Sequence, residues 1–425
     1  SSNWNVNDVP SSGDNAAIAD GVTSTLTKNQ TVNVLKLNNN SEVDLSGNDL
    51  NVNASIINNS QFTGSGEVVL NGSGNNQQLS GDGAYEDLRL ANDVIVNSES
   101  TLNVNGDINN TASLTFKSNA LGTAQFGAFT GNILGSGDVT VERFVPEENR
   151  AFRYIGSPVN TTGTINANLQ EGATTADTEP NPNPGFGTHI TGGNPADGFD
   201  ATSTGNPSMF SWDEANQEWD EIPNTDPKKM NVGEAYALMV RGDRSTTLNS
   251  NTAVGPATTL RFTGALEVGD LPVAASDLSS TIGEYNLIAN PYQAIIDAKT
   301  LLESGDATDL DDQTIYVYDP TLGTRGGYAT VDFVSGTSTP GGLSGSNANQ
   351  FIPPNQAFFV KTVDTDSDGI IDPSLTFKET YKNTSETLVE TFSNDDFLSE
   401  MHINLKRQPA DVLVDGVTAR FDPSY

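Results

Sequence analysis

From Ala16 to about Thr140 the chain is cut into short apolar-alternating runs by Asn, Gly and Ser, and this punctuation limits what it can fold into. Val32-Asn33-Val34-Leu35-Lys36-Leu37, Val94-Ile95-Val96 and Leu102-Asn103-Val104-Asn105 are too short for the strands of a large open sheet. They suit one face of a coil in which alternate residues point inward. The stretch also repeats. Leu50-Asn51-Val52-Asn53 returns as Leu102-Asn103-Val104-Asn105, and Leu35-Lys36-Leu37 returns as Leu88-Arg89-Leu90. Ile56 and Phe62 find counterparts in Ile108 and Leu114. A repeat of roughly 50 residues holds two or three coils, none able to bury its apolar face alone. The expected fold is a right-handed parallel β-helix over 1–140, with Asn side chains laddered at the turns. Trp4, Val9 and Pro10 are expected to lid its first coil, and Gly122 to Phe129, with Phe126 and Phe129, its last.

The rest of the chain passes twice through one series of motifs. Tyr154-Ile155-Gly156-Ser157-Pro158-Val159 matches Leu287-Ile288-Ala289-Asn290-Pro291-Tyr292, and Met209-Phe210-Ser211-Trp212-Asp213 matches Ile315-Tyr316-Val317-Tyr318-Asp319. Met230-Asn231-Val232-Gly233-Glu234-Ala235-Tyr236-Ala237-Leu238-Met239-Val240 then matches Phe351-Ile352-Pro353-Pro354-Asn355-Gln356-Ala357-Phe358-Phe359-Val360, and Thr259-Leu260-Arg261-Phe262 matches Leu375-Thr376-Phe377. Four blocks in the same order, each alternating, predict two related β-sandwich or jelly-roll-like domains at 141–275 and 276–390. A short helix is expected around Ile295 to Leu302. The segment 391–425 reads as the start of a further β-domain, or as strands that dock elsewhere by strand addition through Met401, Ile403, Leu405, Val417 and Phe421. The fold class is therefore all-β, and the expected arrangement is an elongated rod.

Composition narrows the partners. With 20 basic against 55 acidic residues the net charge is −35, which disfavours nucleic acid and anionic membranes because both need a basic face. No apolar run reaches the ~18 residues a membrane helix needs. With no Cys, thiolate chemistry and disulfides are excluded. Ser1-Ser2-Asn3-Trp4 reads as the start of a mature exported chain.

Several features resemble large surface proteins of Bacteroidetes. These are Asn3-Trp4 through Val9-Pro10, Gly13-Asp14-Asn15, and Gly64-Ser65-Gly66-Glu67-Val68-Val69-Leu70 with Gln78-Leu79-Ser80-Gly81. The stretch Val141-Glu142-Arg143-Phe144 … Arg150-Ala151-Phe152-Arg153-Tyr154, Asn290-Pro291-Tyr292, and Asp415-Gly416-Val417 … Arg420-Phe421 share the likeness. The resemblance implies export by the type IX secretion machinery to the outer surface of a Gram-negative bacterium. It implies no single activity, because that group includes adhesins, gliding-related proteins, filament components and enzyme-associated modules. The sorting domain of such proteins is not among these residues.

The clearest local motif is Asp364-Thr365-Asp366-Ser367-Asp368-Gly369-Ile370-Ile371-Asp372. Carboxylates at alternate positions converge on one cation, and Gly369 permits the turn that returns Asp372. It resembles the acidic repeats of thrombospondin type 3 and dockerin segments, although Leu375 stands where a bidentate Glu is expected. Asp364, Asp366, Asp368 and Asp372 are thus candidate ligands for a structural calcium ion. The nearby acidic run Asp306, Asp309, Asp311 and Asp312 has no turn glycine in register and reads as a solvated loop.

Catalytic material is sparse. His189 and His402 are expected at surface or edge positions, neither with a companion His at helical spacing. A β-helix polysaccharide-degrading enzyme would need clustered basic residues or paired carboxylates, whereas Lys28, Lys36, Arg89 and Lys117 lie scattered through the first 140 residues. The expectation is a non-catalytic structural or adhesive module, with a self-associating filament as one form. A carbohydrate-binding module is the alternative, in which Trp212, Trp219 and Tyr236 stack on surface glycans and Trp219, between Glu218 and Asp220, is exposed.

Overall fold

A computed structural model describes residues 10–386, apart from 75, 251–253, 324, 336, 341–344, 366 and 368, together with the strands at 399–407 and 412–421. The chain is all-β, opening with a parallel β-solenoid of about six turns. Three strands of mostly three or four residues make each turn, and they stack into three parallel sheets. One inward column runs the length of the solenoid: Ala16, Leu35, Ile56, Leu79, Val96, Phe116 and Val141 pair in register, coil upon coil. Every member is buried, so each coil covers the apolar face its neighbour exposes.

The 52-residue recurrence is not a whole number of coils. Strand Val34–Leu37 lies in the first sheet and its counterpart Asp87–Leu90 in the third; Leu50–Val52 lies in the third and its counterpart Thr101–Val104 in the second. Matched segments are eight strands apart where a turn takes three, so the repeat advances two turns and two thirds. Any alternating run fits any face, which lets the recurrence slip against the coil.

Corner polar groups tie the turns together. Asn ladders occur between Asn33 and Asn15 (3.0 Å) and between Asn71 and Asn51 (2.7 Å). At another corner carboxylates take over: Asp87 Oδ1 accepts the Asp107 N–H at 2.8 Å, and Asp107 Oδ1 accepts the Asn132 N–H at 2.7 Å. At the starting end Pro10, Ile18, Leu26, Val32 and Leu50 line the open mouth of the core. Trp4 and Val9 lie outside the described residues.

The solenoid runs into its neighbouring module without a linker. Strand Val139–Val145 pairs in parallel with Leu114–Phe116 and antiparallel with Thr258–Leu266, so the first solenoid sheet continues into the first module. The duplication is visible in the topology. Ala151–Gly156, Ala235–Val240, Met209–Asp213 and Glu218–Glu221 form one sheet in that spatial order. Tyr285–Ala289, Ala357–Thr362, Leu310–Asp319 and Gly327–Asp332 follow the same order of corresponding blocks in the other, which adds Thr337–Pro340 at its edge.

The first module's sheet buries its inner face against the end of the continued solenoid sheet, and the second's against a separate three-stranded sheet. Met209, Tyr236, Leu238 and Phe262 belong to a core continuous with the solenoid's, and Ile315, Val317, Phe358 and Phe377 belong to the second module's. The outer faces then pack on one another through Tyr154, Ala237, Leu287, Ala289, Ala357 and Phe359. Tyr154 Oη and Tyr328 Oη meet at 2.5 Å across this seam.

The second module also docks on the last coil of the solenoid. The Phe126 N–H donates to the Gln293 carbonyl at 2.6 Å, and Gln293 Nε2 donates to the Ala124 carbonyl at 2.8 Å. The modules are therefore not strung out as a rod beyond the solenoid. Phe126 and Phe129 close the coil as expected, with ring centroids 5.2 Å apart, beneath the second module.

The helix near 295 is shorter than expected, Ala298–Leu302, and Asp297 caps it by accepting the Thr300 N–H. Ser399–Arg407 pairs antiparallel with Val412–Phe421, setting Met401 opposite Ala419 and Ile403 opposite Val417. These two strands form a sheet of their own. Among the described residues no helix is long and apolar enough to cross a membrane.

Candidate functional site

Strand Tyr285–Ala289 is the edge of the second module's sheet, with backbone groups available on its outer side. The Met209–Asp213/Glu218–Glu221 hairpin of the first module supplies their partners. Trp212 Nε1 and Gln217 Nε2 both donate to the Tyr285 carbonyl at 3.0 Å, and the Tyr285 N–H donates to Gln217 Oε1 at 2.8 Å. The Leu287 N–H, two residues on, favours the charged form of Glu214. The turn presenting these groups is shaped by Asp213, whose carboxylate accepts the Asn216 N–H at 2.9 Å, and by Gln217 at φ +56°. Asp213 is held below the usual carboxylate range by its bonds from Asn216.

The two tryptophans belong to this joint. Their rings pack edge-to-face at 5.0 Å, Trp212 also meets Phe359 at 5.1 Å, and Trp219 meets Tyr154 at 5.2 Å. Trp219 is half-buried, contrary to its expected exposure, because the second module covers that face. Tyr236 pairs with Ser211 on the opposite face, 1% exposed, and its hydroxyl donates to Glu234 at 2.6 Å. Trp212, Trp219 and Tyr236 thus share no common stacking face.

Beside the joint lies a cleft of about 150 Å³. Glu214 on its wall is pushed up to about 7, chiefly by burial, with Asp277 and Asp213 adding to the effect and its own and the Leu287 backbone N–H groups opposing it.

The acidic loop is organised by a residue its motif does not contain. Asp309, buried and at φ +52°, accepts the Asp372 N–H at 2.9 Å and both the N–H and the hydroxyl of Thr365 at 3.1 Å. The bond from Asp372 above all holds its carboxyl below the usual range. The expected solvated run is therefore partly structural: Asp309 braces the loop, and Asp306 pairs with Lys378 Nζ at 2.7 Å. Asp364 accepts the Gly369 N–H at 3.2 Å, while its Oδ1 is buried. Asp366 and Asp368 lie outside the described residues. Among the described residues no three His, Cys, Asp or Glu converge as a metal-binding group.

His189 is not at the surface. It is 3% exposed, with Nδ1 3.2 Å from Asp200 Oδ2. Arg244 grips the same carboxylate in bidentate fashion, both contacts at 2.9 Å. Burial would raise the Asp200 carboxyl, but His189 and Arg244 outweigh it and hold it low. The Ile190 N–H and Gln170 Nε2 also donate to Asp200, so this cluster pins the long 161–207 loop. Its carboxylate is wholly buried, which suits a structural clamp rather than an open reaction centre. His402 sits on the strand Ser399–Arg407.

Among known proteins, residues 193–407 match the model of a domain of unknown function, DUF8693. No curated protein and no solved structure matches the chain. The matched span starts in the long loop of the first module and runs through the second to the strand at 399–407, so it contains the whole Trp212–Glu214–Gln217–Tyr285 joint and the acidic loop.

Proposed function

The chain belongs to the DUF8693 family, and we propose that it serves as a non-catalytic structural or adhesive module on the outer surface of a Gram-negative bacterium. In this reading it is exported by type IX machinery and self-associates by strand addition. The observation that carries the proposal is the terminal hairpin. Ser399–Arg407 and Val412–Phe421 pair only with each other among the described strands, leaving two long edges with backbone groups to satisfy. A hairpin of this kind is marginal in water until a third strand joins it. A sheet edge of another copy supplies that strand. The acidic coat suits an exported protein that must stay soluble until it assembles.

Electron microscopy of the intact chain beside a variant lacking 399–421 tests this. Regular fibres from the first and single particles from the second are expected. Single particles from both at high concentration would remove the polymer and leave adhesion alone. A calcium ion at Asp364–Asp372 is part of the same proposal, with a stiffening role. Gly369 at φ +79° and Ser367 at φ +60° support it by turning the loop back toward Asp372.

A further inference from the structure

The cleft beside the module joint is lined by Ser211, Trp212, Glu214, Lys228, Glu234 and Tyr236, with Asp277 closing it from the second module's side. Its charges do not balance. Lys228 is the cation on the wall, and it is committed: Nζ lies 3.6 Å from Glu234 Oε1 and 5.7 Å from the centre of the Tyr236 ring. Glu234 is occupied as well, accepting the Tyr236 hydroxyl and the Asn231 N–H. Asp277 and Asp213 lie near Glu214 and disfavour its charge, with its own backbone N–H and that of Leu287 working the other way. A half-buried carboxylate among like charges is costly until a cation arrives.

Space and walls suit an organic cation. About 150 Å³ is the size of a cavity known to hold a benzene ring, and the half-buried Trp212 offers a surface for carbon atoms and for cation–π attraction. Clefts between domains with a few convergent polar groups are where small ligands bind. We infer that this cleft binds a small organic primary ammonium, its charge on Glu214 and its carbon body against Trp212. The site is separate from the hairpin that carries the filament reading, so either idea can fail without the other.

The test is calorimetric titration of the full chain with benzylammonium, and with benzyl alcohol as its uncharged counterpart. At pH 8 benzylammonium should bind saturably at one site, and the alcohol about tenfold or more weaker. Glu214→Gln should weaken the ammonium by about tenfold, and Asp277→Asn, at an exposed turn position, by about threefold. Lowering the pH to 5.5 should weaken binding by about tenfold in the wild type and little in Glu214→Gln, because Glu214 is then neutral. Lys228, Glu234 and Asp277 also face the cleft and Asp213 lies near Glu214, so the variant comparison isolates Glu214 from them. Absent saturable binding, equal binding of the alcohol, or full affinity in both variants would each overturn the assignment. Should Glu214→Gln fail to fold, Asp277→Asn and the alcohol comparison decide alone.

Discussion

Lys382 Nζ lies 2.7 Å from Glu379 Oε2 in a buried ion pair that joins three parts of the chain. Lys382 is 1% exposed at its side chain, seated over the rings of Phe126 (4.9 Å) and Tyr292 (4.8 Å), and it donates to the Gly127 carbonyl. Glu379 in turn accepts the N–H of Phe129 from the solenoid and of Gly269 from between the modules, at 2.8 and 2.9 Å. Burial lowers the Lys382 ammonium, and Glu379 works against that shift.

Removing one partner strands the other in the interior. Lys382→Ala or Glu379→Ala should each cost about 3–5 kcal/mol, read as a lower midpoint in urea unfolding of the full chain. Exchanging both for apolar residues of similar volume should recover most of that loss. A loss of under about 0.5 kcal/mol from either single change would deny the pair its place at the junction.

Glu214 makes stability pH-dependent in a defined direction. Its folded-state value is raised to about 7 from an ordinary carboxylate value, so the folded protein holds a proton that the unfolded chain gives up. The protein loses stability from this group as pH rises through 7 and regains it toward pH 5. Glu214→Gln should therefore raise the melting temperature at pH 8 and leave it nearly unchanged at pH 5. A variant that melts with the wild type at both pH values would contradict the burial of this carboxyl.

Gly156 sets how closely the two sheets approach. A Cβ there would lie 2.4 Å from the Ala289 Cβ, and the Gly156 N–H already donates to the Asn355 carbonyl across the joint. Gly156→Ala should cost about 1–3 kcal/mol by overpacking. The paired change with Ala289→Gly should restore part of it, a coupling that a double-mutant cycle measures.

Calcium should raise the melting temperature of the wild type and protect backbone amides of 364–372 from hydrogen exchange. Asp309→Asn should weaken both effects even though Asp309 lies outside the motif, because it positions the N–H groups of Thr365 and Asp372. Identical exchange with and without a chelator would remove the ion from the account of this loop.

Much of the architecture was legible in the chain. Short runs cut by Asn and Gly pointed to coils, and four ordered blocks anticipated two sheets with one strand order. Alternation shows that a strand has two faces without showing what either face meets. Trp219 sits between Glu218 and Asp220 and so looked exposed, yet its ring faces the other module. His189, Asp200 and Arg244 had no spacing signal, since loop closure and not periodicity brings them together. Glu214 and Asp309 were hidden for a related reason: each acts on backbone groups of a distant segment, and backbone groups leave no mark in a sequence.

Strand Val139–Val145 belongs at once to the last coil and to the first module. Domains joined by a polar linker swing freely; these share a hydrogen-bonded ladder. Any load passing between solenoid and module crosses several backbone hydrogen bonds of one continuous sheet. Load on the chain would therefore meet a stiff element at the solenoid's exit, and any give must come from elsewhere.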